Sequence, residues 1–471
     1  MLGSPGRPPA RGRRAGAGRA GATRRDVLRV LAAAGGGAAA IPLAACAGGG
    51  VSGTGGQASS RLGPNGFTFK EPLTLTYWKS LEGPRHEAQV KLTDDFNASR
   101  QDVKVSLEHV GTYDQAAEKL TAVLAANTPP DVMMLTVDTF MPGFARRGAL
   151  HPLDEFARAD KSASFETYVP GFIKNGTVNG KLYQIPLARS NPVLYYNKDH
   201  FRAAGLPETA PNTWDEVLSA SQTLTRSSAL QVDSADGSKL AFPVAGYWWT
   251  FQSITWAFGG KLSDDKFVPT VTQAETVQAM QFLADLVQRH RVARAYRTVG
   301  PTNTAFQQGQ LSFLVESTAV LTQTQERTSA RVGAAFMPQQ KQRAVPGGGS
   351  GLSLISSIPL EKKEAGWEFM KFVTTTPHTI YFSKMTGYMV VRTDAEKSQE
   401  FQEYLKEQPN AKVTFDQMQF IRTQDSIAEA PGAPAAIENA IREVILEGKN
   451  VRAVLEELQR TLTNLAQEVP R

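Results

Sequence analysis

From residue 73 onward the apolar positions switch between a two-residue and a helical period, and the switches set out the elements. LTLTYW (73–78) alternates and predicts a strand; 86–97 is polar with Val90, Leu92 and Phe96 at roughly helical spacing. Residues 103–110 return to period two. The next segment places Ala117, Leu120, Val123 and Leu124 on one helical face and stops at Pro129–Pro130. DVMMLTV (131–137) is a short buried strand. Strand-helix-strand-helix-strand predicts a parallel sheet with right-handed crossovers. A second region starts near Leu194 with the strand-like VLYYNKD. A helix follows in which Thr213 and Glu216 form a capping box. Residues 277–289 and 367–375 read as amphipathic helices. Two more close the chain, over 435–447 with Ile437, Ile441 and Ile445, and over 451–468 with Val454, Leu455, Leu458, Leu462 and Leu465. Residues 233–239 read as a solvated turn, because their acidic pair lacks the ligand ladder of a calcium loop.

The first 60 residues follow neither period. Arg24–Arg25, followed by Val27, Leu28 and Arg29, resemble a twin-arginine export signal. The weakly apolar run over 28–45 is too short and too rich in small residues to span a membrane, but suits a cleaved leader. LAAC (43–46) then looks like a lipobox, in which Cys46, the only cysteine in the chain, is acylated and becomes the first mature residue. Residues 47–60 read as a glycine- and serine-rich tether. Charge follows the leader. The chain carries +6, yet residues 1–45 hold eight arginines against Asp26, which is +7 and leaves −1 for the body. No basic excess remains to track phosphates, so nucleic-acid binding is not expected. Without cysteines the body must be stabilised by burial, and its length allows two domains.

Enzyme signatures are missing. No H-E-x-x-H occurs, and His86, His109, His151, His200, His290 and His378 never fall at ligand spacing, so no metal and no cofactor are expected. GGGSG (347–351) is not a nucleophile elbow, because Leu352 takes the last glycine position; Gly260–Lys261 lacks the rest of a phosphate loop. Binding is therefore expected rather than catalysis. GYWWTFQSITWAFGG (246–260) holds Tyr247, Trp248, Trp249, Phe251, Trp256 and Phe258. Phe251, Trp256 and Phe258 read as core, but three consecutive aromatics cannot all point inward. One or two should face a cleft, where rings take sugar faces or quaternary ammonium groups. WKSLEG (78–83) stands at the end of the first strand, where ligands of open α/β sheets bind, and offers Lys79 and Glu82.

Together the lipobox, SNPVLYYNKDHFRAAGLPETAPNTWDEV and KMTGYMVVRTD resemble an extracellular solute-binding lipoprotein of an ABC importer, in the sugar-binding branch. LARSNPVLYYNK, WTFQSITWAFGGKLSDD, GGSGL, TGYMVVR and RTQD are most similar to its glycerol-3-phosphate/glycerophosphocholine-binding component of actinobacterial type. The resemblance covers the body from about Leu73 to the end.

It implies an α/β, two-lobed, type II periplasmic-binding-protein-like fold, each lobe a mostly parallel sheet flanked by helices, with the ligand cleft between them. Residues 1–45 would be the signal and 46–66 the tether. Residues 67–192 with 353–393 would form one lobe, and 193–352 with 394–471 the other, with hinges near 190–194 and 349–353. It implies ligand positions at Tyr113, Asp138, Ser190, Trp249, Gly349, Tyr388 and Arg422. Two departures stand out: Met389–Val390 replaces the usual Leu-Pro, and Val320 stands where a serine is common. The implied function is lobe closure on a glycerophosphodiester or glycerol 3-phosphate and delivery to permease subunits, by a monomer anchored through lipid on the extracytoplasmic face. A di- or oligosaccharide receptor and a secreted carbohydrate-active enzyme are the alternatives.

Each implied position also has a structural reading. Arg422 would pair with a phosphodiester or form a salt bridge. Asp138 would accept from glycerol hydroxyls or cap a helix. Tyr113 would contact ligand or pack in the first turn of a helix, and Ser190 would donate its hydroxyl or serve a turn. Trp249 and Tyr388 would wall a ligand or fill core. The glycines around Gly349 would offer backbone N–H groups or hinge freedom.

Overall fold

The computed structural model describes residues 60–228, 230 and 239–469. The leader, Cys46 and all but Lys239 of the turn at 233–239 lie outside them. Ser60–Gly63 and Gly66–Phe69 (β1 and β2) pair as an antiparallel hairpin. Phe67 and Phe69 are buried, and the Phe67 N–H donates to Glu368. Part of the stretch read as tether is thus folded onto the body.

The alternating segments then give β3 (Leu73–Lys79), α1 (Pro84–Ser99), β4 (Val103–His109), α2 (Tyr113–Ala125) and β5 (Val132–Thr136). β3 pairs in parallel with both β4 and β5, as the strand-helix order requires. Period two divides the residues between the faces: Leu75, Tyr77 and Met134 pack into one core layer, and Trp78, Met133 and Leu135 into another. Two further strands, β6 (Ile185–Ser190) and β10 (Gly348–Leu354), complete a five-stranded sheet. β10 runs antiparallel to β5 and β6.

The second lobe begins where the chain leaves β6. β7 (Pro192–Asn197) lies between β8 (Phe313–Ser317) and β9 (Val332–Ala335). Its VLYY run is continuous because both faces are covered: Leu194 and Tyr196 enter one core, Val193 and Tyr195 another. Mostly parallel pairing was expected in each lobe, and the structure differs in both: two of the four pairings in the first sheet are antiparallel, because the chain returns to it through β10. β7 enters from the first lobe and runs against both neighbours, so both pairings are antiparallel. The expected return at 352/353 falls inside β10, which lies wholly in the first sheet.

The Thr213–Glu216 capping box forms as read, with Thr213 Oγ accepting from the Glu216 N–H at 3.1 Å and the Glu216 carboxylate from the Thr213 N–H at 3.3 Å. The closing helices run Ala433–Ile445 and Val451–Ala466 and bury the isoleucines and leucines of their apolar faces in the second lobe. The aromatic stretch becomes a helix, Trp248–Ala257 (α3), with every residue buried.

Candidate functional site

Between the lobes lies a cavity of about 840 Å³. The first lobe supplies Arg85, Tyr113, Asp138, Ser190, Gly349 and Tyr388; the second supplies Tyr247, Trp248, Trp249, Asn303, Glu316 and Glu438. Six of the seven positions singled out in the sequence thus line one space.

Arg422 does not line it. This residue sits in a two-residue strand, Ile421–Arg422, parallel to Val345–Pro346. Ile421 packs against the cores, and alternation turns Arg422 outward. Its side chain is exposed and donates to Gln342 Oε1 at 3.1 Å.

On the first-lobe wall, Tyr113 is the first residue of α2, after the capping Thr112. Its hydroxyl is 3.0 Å from Ser350 Oγ, and burial pushes the phenol well above its ordinary pKa. Tyr388 stacks on Phe382 with centroids 5.5 Å apart. Asp138 caps no helix. It accepts from Gln424 Nε2 of the second lobe, and burial raises its carboxyl against that bond. Behind it, Arg189 is fully buried over the Phe172 ring, and desolvation lowers its guanidinium to about 10. Gly349 has φ +99°, and a Cβ there would lie 1.9 Å from the Ala188 carbonyl oxygen. The backbone therefore forms the wall at this point.

On the other wall, Trp249 lies against Gly348, where a Cβ would come within 2.5 Å of its indole ring. Its Nε1 is buried without a hydrogen-bond partner among the described residues. Tyr247 is tilted beside it, centroids 6.1 Å apart. Glu316 is buried on β8, accepts from Asn303 Nδ2 at 3.1 Å, and is raised above the usual carboxylate range by desolvation. Glu438 is raised for the same reason, with Arg442 opposing. Asp114, Glu118 and Glu429 also reach the lining, and Arg147 is its second cation. Carboxylates thus outnumber cations, which favours a ligand carrying a cationic group and disfavours a small dianion.

Arg85, Glu316 and Gln424 were not foreseen. Of the two residues picked from the first strand's end, Lys79 is buried and does not line the cavity; it is bonded to the Leu81 carbonyl and His86 Nδ1, and burial lowers it to about 8. Glu82 points to solvent beside His109, 3.3 Å away. The same segment delivers Arg85 instead, in the first turn of α1. A charged residue following Gly-Pro at a strand end was the available signal.

The sequence is 26% identical over 358 residues to the sn-glycerol-3-phosphate-binding periplasmic protein UgpB of Pectobacterium atrosepticum, covering 73% of this chain and 79% of that one. It is 26% identical over 380 residues to the Rhizobium meliloti protein of the same name, covering 75% and 84%. Among solved structures, UgpB from Mycobacterium tuberculosis in complex with glycerophosphocholine superposes with a TM-score of 0.77 at 30% identity, over 84% of this chain and 98% of that one. Maltose-bound MalE3 of T. maritima gives 0.71 at 21% identity, over 83% and 99%, a likeness of fold. Residues 91–409 match one family along most of the body, and the chain belongs to the bacterial extracellular solute-binding proteins.

Proposed function

We propose that this protein captures a glycerophosphodiester, glycerophosphocholine in the first place, and presents it to the permease subunits of an ABC importer. The observation that carries this reading is the match, at 30% identity over 84% of the chain, to a protein solved with glycerophosphocholine. The cavity chemistry supports it. Arg85 offers a permanent cation, Asp138 accepts hydroxyls, and Tyr247, Trp248 and Glu316 face the same space with surfaces suited to a trimethylammonium group.

Capture proceeds by closure. The lobes meet through Gln424 on Asp138 and through Arg146 on Glu429 at 2.5 Å, and a ligand touching both walls favours the state in which these pairs form. The protein is exported, held at the extracytoplasmic face by acylated Cys46, and acts as a monomer.

Calorimetry on the purified body with glycerophosphocholine, glycerol 3-phosphate, trehalose and maltose tests the ligand. One-to-one binding of glycerophosphocholine, tighter than of any sugar, is expected. Tight binding of a neutral sugar with none of either phosphate ester would instead assign Asp138 and the aromatic wall to saccharides.

A further inference from the structure

Lys79 ends β3, and its side chain is wholly buried. A buried ammonium is normally paired with a carboxylate, because the loss of its hydration is otherwise uncompensated. Here no described carboxylate lies within ion-pair distance. The Nζ donates instead to the Leu81 carbonyl and to Nδ1 of His86. Lys79 thereby ties the loop after β3 to the first turn of α1. The cap of that turn is Gly83, at φ +56°, which has no side chain to bond the helix end, and Pro84 follows it. Next come Arg85, which lines the cavity, and His86, which accepts from Lys79.

The Lys79–His86 bond is sensitive to one proton. Lys79, at about 8, still carries its charge at pH 7. Nδ1 accepts from it only while the ring is neutral with its hydrogen on Nε2. Protonation would make both groups donors and set two positive charges side by side, at a helix N-terminus whose dipole adds to the cost. The charged groups facing His86 are Lys79 from β3, His109 from β4 and Glu87 from α1; Glu82, from the intervening loop, faces Lys79. His109 stands edge-on to His86 with ring centroids 6.3 Å apart, and its Nε2 is 3.3 Å from Glu82. Glu82 is thus engaged by His109 rather than set between Lys79 and His86. Burial, Lys79 and His109 hold His86 below its ordinary value of 6.5, against Glu87. With the folded value depressed, the bond is present above pH 6.5 and is lost as pH falls through that folded value.

We infer that Lys79 and His86 are positioning residues for the cavity: their bond holds the first turn of α1, and with it Arg85, in place, and protonation of His86 releases that turn and weakens ligand binding in acid. The inference rests on the cavity being the ligand site, as read above, and is indifferent to which ligand fills it. Arg85 and His86 are neighbours on one helical turn, so parting His86 from Lys79 moves the backbone from which Arg85 reaches toward Tyr388 and Tyr113. The bound form then takes up fewer protons at His86 than the loosened free form, and affinity falls with pH.

The test uses the full mature chain, as wild type and His86→Gln, titrated calorimetrically at pH 5, 6, 7 and 8 with glycerophosphocholine and, in parallel, maltose. Glutamine keeps an oxygen that accepts from Lys79 and has no proton to take up. From pH 8 to pH 5 wild type should lose at least about fivefold more affinity than His86→Gln. Both curves carry the cavity carboxylates, Asp138 and Glu316 among them, so their difference reports His86. Amide hydrogen exchange over residues 85–88 of ligand-free wild type gives a readout that needs no ligand: protection should fall between pH 7 and pH 5. Parallel affinity curves for the two proteins overturn the inference and leave the ligand reading intact. A wild type that binds maltose and not glycerophosphocholine overturns the ligand reading alone, and the same comparison is then made with maltose. If His86→Gln does not fold, or neither compound binds, exchange decides: unchanged protection over 85–88 overturns the inference.

Discussion

Closure can be perturbed away from the ligand at Arg146. Its Nη2 lies 2.5 Å from Glu429 Oε2 across the lobe interface, with side-chain exposures of 14% and 26%. Burial raises the Glu429 carboxyl, and Arg146 opposes that rise. Arg146→Met keeps most of the stem and removes the charge, so closed lobes hold a carboxylate without its cation. Exposed pairs are worth under about 1 kcal/mol, and breaking a fully buried pair costs about 3–5 kcal/mol. A partly exposed pair lies between, at about 2 kcal/mol, or a roughly 30-fold loss of affinity. The loss should depend on pH. Without Arg146, Glu429 titrates higher in the closed state than in the open one, so closure takes up a proton. Such a group favours the closed state below its open-state pKa, and the benefit is lost as pH rises through its closed-state pKa. Titrations with glycerophosphocholine at pH 5, 6.5 and 8 should show the largest deficit at pH 8. A variant within threefold of wild type at every pH would refute the claim that this pair forms on closure.

Three shorter predictions concern the scaffold and the anchor. Gly349→Ala puts a Cβ 1.9 Å from the Ala188 carbonyl oxygen at φ +99°, and should lower the unfolding free energy in urea by ~3 kcal/mol; a change under 1 kcal/mol would contradict the geometry. Asp425 accepts from the Leu262 N–H at 2.6 Å and is pushed by burial from 3.8 to about 6. With the folded value above the unfolded one, its stabilising share is complete below 3.8 and is lost as pH rises through 6, a swing of ~3 kcal/mol. Asp425→Asn should flatten the melting-temperature curve over that window, and an unchanged slope would assign the slope to other groups. Cys46→Ser should move the protein from the membrane fraction to the soluble one, and continued membrane recovery would exclude the acyl anchor.

Much of the fold is legible because burial enforces periodicity. Alternation in β3 and the runs in β5 and β7 report directly how many faces are covered. β10 is harder, since Gly348, Gly349 and Gly351 erase its side-chain pattern; its membership of the first sheet emerges only from pairing. In the site, Tyr113, Asp138, Ser190, Trp249, Gly349 and Tyr388 come from six separated segments, and the sequence brought them together only through resemblance. Arg422 and Arg85 show the limit. A two-residue strand gives no period from which to judge which way Arg422 points, and one turn of α1 decides that Arg85, rather than Lys79 or Glu82, reaches the cavity.

Phosphorus NMR tests the central claim most directly. Adding the mature protein to equimolar glycerophosphocholine should shift or broaden its single resonance, excess maltose should not reverse the change, and no new phosphorus signal should grow with time. An unperturbed resonance beside bound maltose would contradict the account, as would a new phosphate species formed by turnover.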